Sequence, residues 1–300
     1  MKSITILVVS FFSFRHINRL FKNLYEKAEQ PKNINFLIVD NTNGKDKDLP
    51  GLMNIHENVS LIFSSGENRQ RSISHSIALD KGLKASKGIF TLIIDPDVYI
   101  FKKHWDTFFV NKLKINRKSI LGAPYPQWKV GKIHDFPSVV LLFFRTLDIQ
   151  KLNTSFYPFP GTLVRLKNSI IRKFIRFGIV GNKNFLNKYF LLRKITKQLE
   201  KLTGISSPDT GNKIIEVLRK NNVIPICFKA KYSNDIKSEN NLFRLAREYE
   251  VFFLNDELIM THMYGSGVFY WKTKKGSDIR YWTSLITQIE KSKDEYVNKK

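Results

Sequence analysis

Ile89-Phe90-Thr91-Leu92-Ile93-Ile94-Asp95-Pro96-Asp97-Val98 is the stretch on which the fold turns. Its first part carries no charge and has strand length, which is how a strand buried on both faces of a parallel sheet reads. It then stops abruptly on two acids separated by one proline. In open α/β sheets ligands bind at the carboxyl ends of the strands, and two carboxylates there offer hard oxygen donors to Mg²⁺ or Mn²⁺ and the phosphates that come with it. Asp and Pro also favour turns on their own account, so the tripeptide alone reads equally well as a plain turn. The apolar strand before it, and the helical pattern over residues 74–87 before that, favour a site.

Upstream, short apolar runs alternate with helical spacing, the pattern of a βαβ sheet covered by helices. Residues 4–9 form a continuous apolar run, and Ile17, Leu20, Phe21, Leu24 and Ala28 recur at helical intervals. A second strand at 36–39 ends in Asp40-Asn41, and a third follows at 59–63 after the turn-rich residues 43–51. Ile73, Ile77, Leu79 and Leu83 mark a helix closed by Gly88. The fold class expected is α/β, a Rossmann-like mixed sheet flanked by helices. Downstream the pattern predicts a helix at 105–113, strands at 120–121 and 139–144, a helix over 208–221, strands at 223–228 and up to Met260, and a terminal helix from Asp278.

Four stretches in this order resemble the family-2-like glycosyltransferases of the GT-A fold. They are Ile4-Thr5-Ile6-Leu7-Val8-Val9-Ser10, Phe36-Leu37-Ile38-Val39-Asp40-Asn41, Ala78-Leu79-Asp80-Lys81-Gly82-Leu83-Lys84-Ala85-Ser86-Lys87-Gly88, and Ile93-Ile94-Asp95-Pro96-Asp97-Val98. The resemblance implies a nucleotide-diphospho-sugar donor and a divalent cation, Mn²⁺ or Mg²⁺. It implies contacts from Ser10 and Asp40 to base or ribose, from Asp95 to ribose or metal, and from Asp97 to the metal. Residues 1–122 would then be the nucleotide-sugar half. Residues 123–300 would be the acceptor half, with a basic helical insertion at 165–203, in one continuous GT-A domain. Asp40-Asn41-Thr42-Asn43-Gly44 departs from the family's usual double-acid-Gly-Ser, and the first strand lacks the common proline.

Later positions fit the same scheme. Asp209 reads as the base that deprotonates an acceptor hydroxyl, or as the cap of the helix it begins. His262, following an apolar strand, resembles the late metal-ligand histidine of many GT-A enzymes, although a lone histidine is more often structural. Arg71, like Arg69, reads as a phosphate partner or as a solvated loop cation. Tyr125, Trp128 and Trp271 read as sugar-stacking rings or as cover for a core edge. His16, His56, His75, His104 and His134 show no metal-ligand spacing and read as surface or packing residues.

Fifty Lys and Arg against 26 acids set a formal charge of +24, which points to an anionic partner. Residues 165–201 carry eleven of those cations and one acid, Glu200, interleaved with apolar residues. That pattern describes basic amphipathic helices lying on an anionic membrane, where a lipid-linked acceptor would be found. The expected location is the cytoplasm, peripheral on the inner face of a membrane, with a glycan or lipid-linked acceptor and no specific nucleic acid. The apolar set at 42% excludes disorder as the main state. One cysteine, Cys227, excludes an intrachain disulfide and a cysteine-based zinc cluster. No apolar run approaches the roughly 20 residues of a membrane span. The competing readings are a basic nucleic-acid-binding protein or metal-dependent nuclease, and a sugar-nucleotide binder without catalysis.

Overall fold

The computed structural model describes residues 3–65, 71–158, 166, 168–171, 173, 182–236, 240–263 and 278–297. Arg69, Trp271, the loop after Met263 and most of residues 165–181 lie outside them. The chain divides into two compact units, the first formed by Met1–Pro124, Asp135–Gly161 and Pro208–Phe228, the second by Tyr125–His134, Thr162–Ser207 and Lys229–Lys300.

The first unit is built on one sheet. Its strands are β1 (Ile4–Ser10), β2 (Ile34–Asp40), β3 (Val59–Phe63), β4 (Phe90–Ile94), β6 (Ser119–Gly122), β7 (Leu141–Arg145) and β8 (Ile224–Cys227), with the short β5 (Val98–Ile100) just after β4. The spatial order is β3-β2-β1-β4-β7-β6-β8. Strands β1 to β4 pair parallel, β7 runs antiparallel to both β4 and β6, and β8 pairs parallel with β6. This is the mixed sheet flanked by helices that the alternation in the sequence predicts.

Both faces of the sheet are covered, which is why its central strands read as continuous apolar runs rather than alternating ones. Successive side chains along a strand point to opposite faces. Phe36 stacks on Phe21 of α1 (Phe14–Lys27) at 4.0 Å between ring centroids. Val39, of opposite parity, lies against α3 (Arg71–Ala85) at Gly82. A short helix, α2 (Leu52–Ile55), precedes β3, and α4 (Trp105–Ile115), α5 (Thr146–Gln150) and α8 (Asn212–Lys220) complete the unit.

The second unit contains α6 (Lys183–Lys188), α7 (Phe190–Thr203), α9 (Asn241–Glu248) and α10 (Ile279–Val297). Its antiparallel strands are β9 (Lys229–Ala230), β10 (Glu250–Leu254) and β11 (Glu257–His262). Trp128 is 1% exposed and packs with Leu186 and Tyr232, so it belongs to this unit's core and is not a sugar-stacking ring. Among the described residues no helix is long and apolar enough to cross a membrane.

One local expectation shifts. The helix expected from Pro208 begins at Asn212, because Gly211 takes a left-handed φ of 93° and gives its N–H to the Phe156 carbonyl instead of to a helical turn. Phe11 and Phe12 continue the first apolar run in the sequence but leave the sheet, at 58% and 61% exposed, with Phe12 at φ 52°.

Gly82 sets the approach of α3 to the sheet. A Cβ there would collide with Leu7 and meet Val39 Cγ2 at 2.9 Å. Gly82→Val is expected to lower unfolding stability by roughly 1–3 kcal/mol through overpacking, read as a lower urea midpoint. An unchanged midpoint would mean that α3 is not held at this spacing.

Candidate functional site

The order β3-β2-β1-β4 contains the point where the chain reverses its direction across the sheet, between β1 and β4. Connections leaving the two strands there go opposite ways, which opens a crevice at their carboxyl ends. Ser10 and Asp40 are the last residues of adjacent strands and pair in register. Asp95 follows β4, the neighbour of β1 on its other side. The structure thus brings Ser10, Asp40 and the Asp95-Pro96-Asp97 turn to one edge of one sheet.

Each residue is held differently. Ser10 is fully buried, and its Oγ has no hydrogen-bond partner among the described residues. A buried hydroxyl without a partner is costly, so this one marks a place where a ligand group would complete the structure. Asp40 accepts from Thr42 N–H at 2.8 Å, Thr42 Oγ1–H at 2.6 Å and Gly44 N–H at 2.7 Å. It therefore shapes the turn after β2. Asn41 Nδ2 donates to Ser74 Oγ at 2.6 Å and ties that turn to α3. Asp95 and Asp97 are half-buried in a turn in which Val98 N–H donates to the Asp95 carbonyl at 3.3 Å. Arg71 is exposed at the start of α3.

Two residues passed over in the sequence belong to this edge. His16 and Arg19 lie on α1, with Arg19 Nη2 3.2 Å from His16 Nδ1. Burial lowers the pKa of both, Arg19 to about 10, while the Asp97 carboxylate pulls each back up. Arg19 is half-buried and stays charged at neutral pH, so it sets a positive charge near Asp97. The i, i+3 spacing of His16 and Arg19 places them on one helix face, and that was the available sequence signal. The exposed, edge-to-face rings of Phe11 and Phe12, 5.3 Å apart, stand directly after Ser10.

Asp209 lies in the turn before α8 and accepts from Thr210 N–H at 2.9 Å, so it does not cap the helix. Thr210 Oγ1 donates to the Ser72 carbonyl of α3 at 3.1 Å. Asp80 of α3 accepts from Ser155 Oγ–H at 2.5 Å and from Phe156 N–H at 2.8 Å, and the Phe156 carbonyl then holds Gly211. The Asp209 turn is thereby pinned to α3. His75 of α3 is depressed to about 4 by desolvation, against the pull of Asp209, and is neutral at pH 7. Cys227 is pushed up to about 12, chiefly by burial, which leaves its thiol unreactive.

In the second unit, His262 ends β11 and is 3% exposed. Its Nδ1 lies 2.8 Å from Glu250 Oε2, and Lys129 Nζ forms an ion pair with Glu250 Oε1 at 2.6 Å. Burial pushes the Glu250 carboxyl up, but Lys129 and His262 outweigh it and hold it at about 2. Lys183 is buried beside this group and donates to the Ala246 and Tyr249 carbonyls at 2.6 and 2.7 Å. Burial drives its pKa to about 7, against Glu250 and Glu248. A neutral amine keeps two N–H bonds, so both carbonyls are served in either protonation state.

No protein-family model and no curated protein matches the chain. Among solved structures it is similar to the mannosyltransferase PcManGT from Pyrobaculum calidifontis in complex with GDP-Man and Mn²⁺, 18% identical over 50% of this chain and 46% of that one, TM-score 0.40. It is also similar to S. aureus TarS 1–349 in complex with UDP-GlcNAc, 17% identical over 52% and 48%, TM-score 0.41. The matches span about half the length of those chains.

Lys183 gives stability a pH dependence of known sign. Between about 7 and 10.5 the unfolded chain carries more protons here than the native one, so stability rises with pH across that window. Lys183→Met is expected to remove the rise, measured as melting temperature against pH. A wild-type melting temperature flat across the window would contradict the burial of this amine.

Proposed function

We propose that the chain is a metal-dependent glycosyltransferase that moves a sugar from a nucleotide-diphosphate donor to an acceptor hydroxyl with inversion. The observation that carries this reading is the convergence of Ser10, Asp40 and Asp95-Pro96-Asp97 at the switch point of the parallel part of the sheet, with an orphaned buried hydroxyl at Ser10. The donor set fits Mn²⁺ or Mg²⁺. Asp95 and Asp97 would supply oxygens to it. In the second unit the Glu250 carboxylate accepts from His262 Nδ1–H, a tautomer in which Nε2 would be the ligating atom of this histidine. When bound, the cation offsets charge that builds up on the departing diphosphate.

In this reading Ser10 and Asp40 hold the nucleoside, and Arg71 and Arg19 add positive charge towards the phosphates. Asp209 takes the proton of the acceptor hydroxyl as its oxygen attacks the anomeric carbon. The bond from that carbon to the phosphate oxygen breaks, and the diphosphate leaves with the electron pair. Neutral His75 leaves the Asp209 carboxylate without a neighbouring imidazolium to suppress its basicity. The acceptor class proposed is a glycan or lipid-linked hydroxyl at the inner face of a membrane, in polysaccharide biosynthesis.

A thermal-shift screen of nucleoside diphosphates with and without Mn²⁺ tests the site first, with GDP and UDP as the initial probes. Saturating ligand at about 100 times its Kd is expected to stabilise the protein by about 2.7 kcal/mol. Asp97→Ala is expected to abolish the Mn²⁺-dependent part, and retention of that part in the variant would remove Asp97 from the metal site. Asp209→Asn is expected to keep nucleotide binding while kcat falls by about 10²–10⁴. A product of retained anomeric configuration would exclude Asp209 as a simple base.

A further inference from the structure

The outward face of α7 carries a chemistry that the transfer reaction does not use. Leu191, Ile195 and Leu202 are 69%, 50% and 86% exposed and fall at i, i+4 and i+11, so they form one aliphatic stripe. Lys194, Lys197 and Lys201, all exposed, form a second stripe beside it. The polar groups of the opposite face are committed to the second unit. Glu200 accepts from Gly131 N–H at 2.6 Å and pairs with His134 at 2.9 Å, and Thr196 is buried. Arg193 binds the Leu186 carbonyl and Asp235 and stacks on Tyr232. The helix's one acid is thus turned inward, and the outward face is cationic and aliphatic apart from the uncharged Gln198, which lies between the two stripes. Exposed Phe185, Tyr189 and Phe190 and the cation of Lys188 extend it towards α6.

We propose that this face docks on an anionic lipid surface, with the lysines at the headgroups and Leu191, Ile195 and Leu202 below them. Charge complementarity selects that occupant. A nucleic acid would engage the lysines but leave the aliphatic stripe uncovered in water. A second copy would bring one lysine stripe against another. An interfacial helix needs both stripes side by side, and aromatic rings at the boundary suit the same depth. The surface stands on side chains of the second unit alone and does not depend on the transferase reading.

The test is sedimentation of the full chain with phosphatidylcholine vesicles, with and without phosphatidylglycerol. Binding is expected only when phosphatidylglycerol is present, and is expected to weaken with salt. The combined Lys194→Gln, Lys197→Gln, Lys201→Gln variant should partition about a hundredfold less, roughly fivefold per lysine. Leu191→Gln, Ile195→Gln, Leu202→Gln should also release the protein. Should either triple variant melt early, Lys197→Glu alone, on the exposed face, is expected to lower partition roughly tenfold. Unchanged partition of a folded variant, or wild-type protein left in the supernatant with both vesicles, overturns the proposal. So does salt-sensitive duplex DNA binding without vesicle binding, or a dimer that the aliphatic variant dissolves. Nucleoside diphosphate binding, measured on the same protein, fails or succeeds separately.

Discussion

The parallel pairing of β1 with β4, Ile4 with Phe90 through Leu7 with Ile93, is the constraint on which the first unit depends. With β2 on the other side of β1, both neighbours are parallel, so every connection must cross over a face of the sheet. That requirement places helices on both faces, demands apolar residues throughout the central strands, and brings their carboxyl ends to one edge. Gly82 belongs to the same constraint, since α3 reaches the sheet only where no Cβ intervenes. The candidate site is a consequence of this geometry: three strand ends deliver Ser10, Asp40 and Asp95, and α1 brings His16 and Arg19 towards Asp97.

The second unit handles charge in another way. Lys129, Glu250, His262 and Lys183 are all buried together, where ion pairs recover little of what desolvation costs. Such a group is better suited to fixing orientation than to adding stability. Glu250 determines which imidazole nitrogen carries the proton, and Lys129 determines that Glu250 is ionised. Lys183 closes the carbonyl end of α9 from beneath.

The net positive charge is also divided by structure. Some cations are consumed inside, as with Lys129, Lys183 and Arg193, while those of the outward face of α7 are exposed and make no ion pair among the described residues, Lys194 lying over the Phe190 ring. Composition treats them alike. Burial separates a cation that positions a carboxylate from one that is free to meet an anionic surface.

Residues 4–9, 36–39 and 89–94 were legible as strands because a strand buried on both faces must be apolar throughout, and composition over a few residues records that directly. Asp40 and Asp95, which end the second and the last of these runs, were legible for the same reason, as the first charges after an uncharged run. Local pattern does not record which strand lies beside which, so the antiparallel insertion of β7 between β4 and β6 was decided only by tertiary pairing. The same holds for Asp209, displaced from the helix by the backbone of Gly211, and for Trp128, drawn from a loop into a core. Glu250, Lys129 and Lys183 look in sequence like any solvated charges. They acquire their roles only when distant segments fold around them and remove the water.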